Sequence, residues 1–399
     1  MSNILFLTHI YPYPPNDGGR IVTYNTLKVL EKNGHKINLI SFIDPNKEEK
    51  YEFPNTEQHL VSKSYQNSKL ALLLNLIEKM PFTMKKYKDS KIEEKIKNIL
   101  ISKNVDFIIL DHLHMAYYVE IIKKVKPDIP VYLRQHNIES MIMERAYEKE
   151  KNIFKKFYLK VQYKKLKKYE AEVCEKMDHI FVITDEDKKA LGDLNSKVNK
   201  NEITVVKAGV DIVNYKPLQI ERDKNNIKNI VFLGAMNWLP NENGILWFVD
   251  EVMPELMDKI NDLKLYIVGK NPTEKIRNLK SRYPNNIIVT GFVEDDKEYI
   301  ARADVFIVPL FIGGGMRLKI LNALAMKKAI VTTKIGAEGI NLENSYIIAD
   351  TANEFITSIK LILEQDEYRE SLESNGYNQV RKNYSFEAVL EPLLNKVKM

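Results

Sequence analysis

The stretch VFIVPLFIGGGMRLKILNALAM, residues 305–326, decides the fold. It opens with four β-branched or aromatic residues, 305–308, a composition typical of a buried strand. A loop with three consecutive glycines follows, and then an apolar helix that we expect over residues 320–326. A strand, a glycine-rich loop and a helix in this order form one unit of a parallel α/β sheet. The stretch therefore predicts an α/β protein.

The same alternation of apolar runs and helical patterns extends along almost the whole chain, and it starts afresh near the middle. The first half predicts strands at residues 4–7, 37–42, 107–110, 131–133, 179–183 and 203–206. The second half predicts strands at residues 230–233, 265–268, 287–290, 305–308, 330–332 and 346–348. We therefore expect two Rossmann-like, doubly wound parallel-sheet domains in sequence.

The linker is expected at residues 208–226, where Gly209, Pro217 and a polar run interrupt the periodicity. This division predicts a first domain over residues 1–215 and a second over residues 216–383, with the last helix, about residues 384–399, crossing back to the first. Ligands of open α/β sheets bind at the carboxyl ends of the strands. Two such sheets predict a ligand cleft between the domains.

Composition narrows the class of protein. The 399 residues suffice for two or three domains, and 60 Lys+Arg against 54 Asp+Glu leave a net charge of +6, too small to indicate a nucleic-acid partner. The single cysteine, Cys174, excludes a disulfide framework and predicts a small apolar side chain on a helix. No apolar run approaches the ~18 residues of a membrane span. The composition predicts a cytoplasmic protein.

The glycine loop 313–315 predicts an anion site. Glycines let the backbone approach a ligand closely, and the start of the following helix offers free N–H groups. Arg317 and Lys319 lie in the first helical turn, where the helix dipole disfavours cations. A bound diphosphate would account for them. The alternative is a tight turn with two solvated basic side chains.

A second glycine pair, Gly18 and Gly19, follows the first strand and opens a helix. From there the first domain could present backbone amides to the cleft. The alternative is a purely structural turn.

Three histidines follow predicted strands: His112, His114 and His136. Residues at these strand ends face the crevice of an open α/β domain. An imidazole there can donate a hydrogen bond to a sugar hydroxyl or to a phosphate oxygen. Buried histidines with structural partners are the alternative.

The segment from Lys151 to Lys168 contains eight lysines and no acidic residue. Phe154, Phe157, Tyr158 and Val161 follow a helical spacing, which gives the helix one apolar face. Such a helix can lie on the anionic inner face of a membrane. Alternatively, it packs on its own domain with a solvated lysine face.

No metal site is expected from the sequence. The triplet Asp185, Glu186 and Asp187 opens a helix, and Thr184 with Asp187 three residues on is typical of an N-cap. No other group of His, Cys, Asp or Glu has the spacing of metal ligands in sequence.

Taken together, these residues resemble the retaining glycosyltransferases of family 4, which have the GT-B fold. The similarity covers nearly the whole chain. The stretches that carry it are residues 17–20, 134–139, 209–211, 234–241, 267–269, 290–293 and 313–324.

The resemblance implies a nucleotide-sugar donor on the second domain, an acceptor on the first, and neither a metal nor a further cofactor. The implied catalytic residues are His114, Arg317 and Lys319, with His112 as the rival of His114. The implied donor-binding residues are Gly18, Gly19, Asn237, Gly269, Gly291, Phe292, Val293, Gly313, Gly314, Gly315, Met316, Leu318 and Asn322. The implied acceptor or sugar side consists of His112, Arg134, His136 and Asn137.

Two positions depart from the family pattern. Relatives commonly have a glutamate where this chain has Asn322, and the loss of charge assistance in its hydrogen bond is worth about 1 kcal/mol. Many relatives also have an Arg and a Lys after the first strand of the second domain, where this chain has Met236, Asn237 and Asn243. Arg317 and Lys319 are then the main basic side chains expected to neutralise the diphosphate.

These implications predict a retaining hexosyltransferase that moves sugar from a nucleoside-diphosphate donor to a hydroxyl in surface polysaccharide or glycolipid synthesis. A same-fold sugar-nucleotide epimerase and a catalytically silent partner-binding subunit are the alternatives. The sequence specifies neither the base, the sugar nor the acceptor.

Overall fold

The computed structural model describes residues 1–15, 17–44, 50–63, 69–195, 197–220, 227–313 and 316–398. Its contacts divide the chain into two compact units. The first domain comprises residues 1–207 and 390–399, and the second comprises residues 208–389.

The first domain is built on a parallel sheet with helices between its strands. Its strands are β1 (Asn3–Thr8), β2 (Lys36–Ile43), β3 (Thr56–Ser62), β4 (Phe107–Asp111), β5 (Val131–Arg134), β6 (His179–Val182) and β7 (Ile203–Val205). Its helices, apart from the C-terminal one, are α1 (Gly18–Lys32), α2 (Lys69–Leu74), α3 (Phe82–Lys85), α4 (Ser90–Ser102), α5 (Val119–Val125), α6 (Glu139–Lys149), α7 (Ile153–Cys174) and α8 (Asp185–Leu194). Short 3₁₀ turns occupy Asn75–Ile77, Leu113–Tyr118 and Lys200–Glu202.

The second domain repeats this plan. Its strands are β8 (Lys228–Leu233), β9 (Leu263–Val268), β10 (Ile287–Gly291), β11 (Val305–Val308), β12 (Ile330–Thr332) and β13 (Ile347–Ile348). Its helices are α9 (Leu239–Trp247), α10 (Met253–Lys259), α11 (Glu274–Arg282), α12 (Lys297–Arg302), α13 (Leu318–Ala325), α14 (Ala352–Glu364), α15 (Asp366–Tyr384) and α16 (Phe386–Val389), with a π turn at Phe248–Val252.

Both sheets have the same doubly wound order. The strands of the first run β3-β2-β1-β4-β5-β6-β7 and those of the second β10-β9-β8-β11-β12-β13, and all described pairs are parallel. The order reverses between β1 and β4 in the first domain and between β8 and β11 in the second. Ligands of such sheets bind at that reversal, at the carboxyl ends of the strands.

The predicted fold class of two doubly wound parallel sheets is confirmed, and all twelve predicted strands are present to within two residues at each end. The strand β3 was missed. Its sequence, TEQHLVS, is polar and only one of its residues is fully buried, because it lies at the edge of the sheet. Edge strands need not show the apolar run by which central strands are recognised.

The domain boundary lies after Lys207, eight residues before the predicted one. Residues 208–215 belong to the second domain because they pack on it. The backbone N–H of Val210 donates to the Tyr384 carbonyl at 2.8 Å, and the Tyr215 hydroxyl lies 3.3 Å from an Asp296 carboxylate oxygen.

The chain returns to the first domain at Leu390, rather than near residue 384. The last helix, α17 (Glu391–Val397), packs there, and the Ser2 hydroxyl donates to the Val397 carbonyl at 2.9 Å. No helix in the described part of the chain is long and apolar enough to cross a membrane.

Candidate functional site

The loop between β11 and α13 ends in a basic residue that is largely enclosed. Arg317 is the N-cap residue of α13 and is 7% exposed. Its guanidinium lies 5.4 Å from the centre of the Trp238 ring. Gly313 has φ of 119°, and a side chain there would come within 2.8 Å of Arg317 Nη2. Glycine at 313 therefore leaves the room that the guanidinium occupies.

Lys319 lies two residues further on, in the first turn of α13. Its Nζ donates to Asn241 Oδ1 at 3.0 Å, and the Asn241 amide donates to the Ala235 carbonyl at 2.9 Å. Burial, together with the nearby Arg317, lowers the pKa of Lys319 to about 7. Among the described residues, no carboxylate forms an ion pair with this ammonium. The second domain therefore holds a cation that an anionic ligand would stabilise.

Two glycines at strand ends make this arrangement possible. A side chain at Gly234, after β8, would lie 2.5 Å from Asn241 Nδ2 and 2.9 Å from Lys319 Nζ. Gly269, after β9, has φ of 146°, and its missing Cβ would lie 1.8 Å from the Gly234 carbonyl oxygen. Gly269 thus supports the loop around Lys319 through close backbone packing.

Other predicted donor-binding residues surround the same end of the second sheet. Gly291 ends β10 with φ of 72°, and Phe292 after it is 72% exposed. Asn237 is exposed in the loop before α9. The remaining ones are the partly buried Val293, Met316 and Leu318, with Asn322 one turn into α13. Gly314 and Gly315 lie outside the described residues.

In the first domain, the glycine pair opens α1. Asp17 caps this helix by accepting a hydrogen bond from the Arg20 N–H at 3.0 Å. A side chain at Gly18 would meet nothing within 4 Å, whereas one at Gly19 would contact His112 Cε1 at 3.6 Å. The structure therefore brings Gly19 and His112 together, as neighbours across the carboxyl ends of β1 and β4.

Asp111, the last residue of β4, organises the polar residues at these strand ends. One of its oxygens accepts from the Thr23 hydroxyl at 2.6 Å, and the other lies 2.9 Å from His136 Nε2. Arg134 Nη1 lies 3.6 Å from the latter oxygen and donates to Thr26 Oγ1 at 2.6 Å. Arg134 is only 1% exposed, so its guanidinium is engaged inside the domain.

These contacts fix the charge of the Asp111 carboxyl. Burial alone would raise its pKa, but His136, His112 and Arg134 together lower it below its usual range. A buried carboxylate with these partners stays ionised and orients the rings beside it. Asn137, the remaining residue predicted on the sugar side, is exposed.

The histidines form a stacked cluster. The rings of His112 and His136 lie 3.6 Å apart between centroids, and those of His114 and His9 lie 4.2 Å apart. The edge of Tyr87 packs against both His9 and His114. Burial lowers the pKa of each of the four histidines, that of His114 to about 3. The rings are therefore neutral, and each has one N–H donor and one lone pair.

Two family models match this chain. The model described as Glycosyltransferase Family 4 matches residues 16–213, which include nearly all of the first domain before the crossing. The model described as Glycosyl transferases group 1 matches residues 227–365 of the second domain. Between them they cover well over half of the chain. The chain belongs to the group 1 glycosyltransferases.

Three proteins show how far this glycosyltransferase resembles others in sequence and in structure. An uncharacterized 44.6 kDa protein in the cps region of Klebsiella pneumoniae is 24% identical, over 99% of this chain and all of that protein. Sucrose-phosphate synthase of Thermosynechococcus elongatus superposes with a TM-score of 0.69 at 14% identity, covering all of this chain and 98% of that one. HepE of Anabaena, solved with UDP and glucose, gives 0.64 at 11% identity over the full length of both chains. The structural likeness shows the GT-B fold.

Several residues of these candidate sites were not singled out from the sequence. His9 follows β1 directly, so the strand-end reasoning that selected His112 could have found it. Asn241 and Trp238 stand in a stretch that carries the family resemblance, but their contacts with Lys319 and Arg317 leave no sequence signal. Glu139, whose pKa burial and Glu170 raise to about 7, is the last residue of the stretch that contains His136.

Proposed function

We propose that this glycosyltransferase moves a hexosyl unit from a nucleoside-diphosphate sugar to a hydroxyl acceptor, with retention of anomeric configuration and without a catalytic metal. The observation that carries the proposal is the pair Arg317 and Lys319 at the start of α13. Two cations sit at a helix N-terminus, at the point of the second sheet where ligands of doubly wound folds bind.

A diphosphate fits this pair better than a neutral ligand does. The pKa of Lys319 is held near 7 by burial and by Arg317, so a bound dianion would restore its full charge. As the sugar–phosphate bond breaks, negative charge grows on the departing diphosphate. A preorganised guanidinium and ammonium stabilise that charge more than they stabilise the ground state, which lowers the barrier.

The first domain supplies neutral donors in this proposal. His112, beside Gly19, and His114 can donate hydrogen bonds to sugar hydroxyls without attracting a second anion. His136 is held by Asp111 and stacks on the His112 ring. HepE of Anabaena was solved with UDP and glucose, so UDP-glucose is the first donor to test here.

The test is a donor screen by nucleotide release. Purified protein is incubated with UDP-, GDP- and ADP-sugars, and both the released nucleotide and the sugar product are identified. Slow hydrolysis of one donor without acceptor is the expected result. Interconversion of the donor sugar without release would favour an epimerase. Nucleotide binding with no turnover, even after Asn322→Glu, would favour a catalytically silent subunit, and no binding at all would end the proposal.

We also propose that the start of α7 contacts the cytoplasmic face of an anionic membrane, where a lipid-linked acceptor for polysaccharide or glycolipid synthesis would be found. Ile153, Phe154 and Phe157 are 75%, 83% and 62% exposed. The four residues expected on one apolar face therefore differ in exposure. Tyr158 and Val161 are partly buried, whereas the two phenylalanines are exposed to solvent. Exposed aromatic residues among eight lysines suit the boundary between lipid headgroups and acyl chains.

Vesicle sedimentation tests the membrane contact. Binding to vesicles with anionic lipid, weakened by salt, is expected, and the double variant Phe154→Ser with Phe157→Ser should reduce it. Ile101→Ser is the matched control, since Ile101 is 77% exposed at the end of α4. Equal recovery with neutral and anionic vesicles, or equal loss in the control, would contradict the contact.

A further inference from the structure

Three histidines converge in the first domain from two places in the chain. His9 follows β1, and His112 and His114 follow β4. One ring nitrogen from each lies within 4.8 Å of those of the other two. His9 and His112 are 6% and 7% exposed, so the group lies mostly beneath the surface.

Each of these rings has a buried nitrogen that lacks a hydrogen bond. His9 Nδ1, His112 Nε2 and His114 Nδ1 have no partner among the described residues. A buried polar atom without a partner costs about 1–3 kcal/mol. Three such atoms on neighbouring rings favour a ligand that all three rings can share. Burial also keeps the rings neutral, which leaves a lone pair on each for a metal.

A second candidate group, Asp111 with His112 and His136, is less suitable. The oxygens of Asp111 already accept from the Thr23 hydroxyl and bond His136 Nε2. Asp111 and His136 instead contact His112, a member of the first group, without being ligands themselves. The Asp111 carboxylate lies 3.9 Å from His112 Nε2, and the His136 ring stacks on His112. The carboxylate adds negative charge near a bound cation, and the stacked His136 ring helps to hold the His112 ring in place.

We propose that His9, His112 and His114 form a transition-metal site that takes Zn²⁺ through three imidazole nitrogens. Nitrogens at the usual Zn–N distance of about 2.0–2.1 Å in a tetrahedron are about 3.4 Å apart. Reaching that spacing from nitrogens within 4.8 Å of each other takes side-chain shifts of about 1 Å, together with a rotation of the His9 or His114 ring, since these two rings lie stacked and their lone pairs must converge on one ion. Imidazole ligands favour Zn²⁺ and its neighbours over Mg²⁺ or Ca²⁺, and three protein ligands leave a fourth position open.

Occupancy of this site changes what His112 can do. A metal-bound His112 no longer offers that nitrogen to a sugar beside Gly19, so Zn²⁺ acts as a reversible inhibitor of transfer. This consequence rests on the proposed function, whereas metal binding does not.

The test measures metal binding directly, on untagged full-length protein stripped with a chelator. Equilibrium dialysis against Zn²⁺ should give one tightly held ion per chain, and Co²⁺ should give the intense visible absorption of a tetrahedral site. His9→Gln should lose both signals. His59→Gln is the control, since His59 lies on the edge strand β3, outside the cluster, and that variant should keep both.

Equal binding by wild type and His9→Gln, or no tight ion in wild type, would overturn the proposal. If His9→Gln does not give the circular dichroism of the folded protein, X-ray absorption of Zn²⁺-loaded wild type decides. Three imidazole ligands are expected, and any other number rejects this ligand set.

Activity provides a separate measurement. Zn²⁺ should slow nucleotide release by wild type, and a chelator should restore it. Absence of any nucleotide release would refute the proposed function while the metal content still decides the site.

Discussion

The ends of β1 and β4 in the first domain and of β8 and β11 in the second occupy the same place in two sheets of the same order, but their chemistry differs. The first carries neutral imidazoles around Asp111, whose charge is compensated by Arg134. The second carries Arg317 and Lys319, and burial together with Arg317 depresses the pKa of Lys319.

This difference separates two uses of one architecture. In the first domain the buried charges stabilise one another, and the strand ends offer uncharged hydrogen-bonding groups. In the second the buried cation raises the energy of the ligand-free protein, and an anion would relieve it. Identical strand order thus gives each sheet a candidate site at the same place, while the residues at the strand ends determine which ligand charge that site favours.

The largest effect is expected from removing the second domain's cations. Arg317→Ala or Lys319→Ala should lower turnover about 100- to 1000-fold, since each removes charge aimed at the departing diphosphate. Steady-state nucleotide release with the best donor measures it. Lys275→Ala, an exposed lysine on α11, should change nothing. Unchanged turnover in either variant would show that the second site does not depend on that cation, and the proposed difference between the two sites would be wrong.

Removing the charge of Asp111 should lower the stability of the fold, whereas removing Arg317 or Lys319 lowers turnover. Asp111→Asn leaves Arg134 buried without its counter-charge, which costs about 3 kcal/mol. Urea unfolding measures this free energy. Asp128→Asn, at an exposed position, serves as the control. A loss no larger than the control's would show that the first site's charges are not mutually dependent.

The matched change in the second domain should stabilise it. Lys319→Met removes a buried amine whose folded pKa, about 7, lies below the ordinary 10.5. Between these pH values the unfolded chain binds more protons, so wild-type stability rises with pH and the advantage of Met shrinks. Thermal unfolding at neutral pH should show an increase of a few degrees. A lower Tm would show that the charge of Lys319 is already stabilised within the ligand-free protein, as Arg134 stabilises that of Asp111.

Donor affinity should depend on pH through Lys319. Because its pKa is about 7, the charged form is lost as pH rises, and affinity for a nucleotide sugar should fall up to tenfold per pH unit between about pH 7 and pH 9. Isothermal titration calorimetry across this range measures the slope. Lys319→Arg should flatten it. Glu139→Gln should retain it, although Glu139 of the first domain also has a pKa of about 7.

The smallest effect concerns Asn322. Asn322→Glu restores a charged acceptor for the ribose hydroxyls and should tighten donor binding about fivefold, equivalent to about 1 kcal/mol. The affinity for UDP, measured by calorimetry, tests this. Asn322→Gln, which lengthens the side chain without adding charge, is the matched control. Equal affinities for all three proteins would place the ribose away from α13.

Much of this molecule could be predicted because its central strands are short apolar runs separated by helical patterns. The edge strand β3 could not, since most of its residues are polar and only one of them is fully buried. Strand-end reasoning found His112, His114 and His136, and would have found His9. It could not find Asn241, because the pairing with Lys319 depends on the room left by Gly234.

The path of the chain has a practical consequence. It enters the second domain after Lys207 and leaves it after Val389, and a bridge between Val210 and Ser385 joins the two crossing segments. Backbone pairing within the second domain therefore holds together the segment where the chain enters this domain and the segment where it leaves. Because the second domain meets the rest of the chain at only these two junctions, we expect that it can be exchanged as a unit for the corresponding domain of another glycosyltransferase.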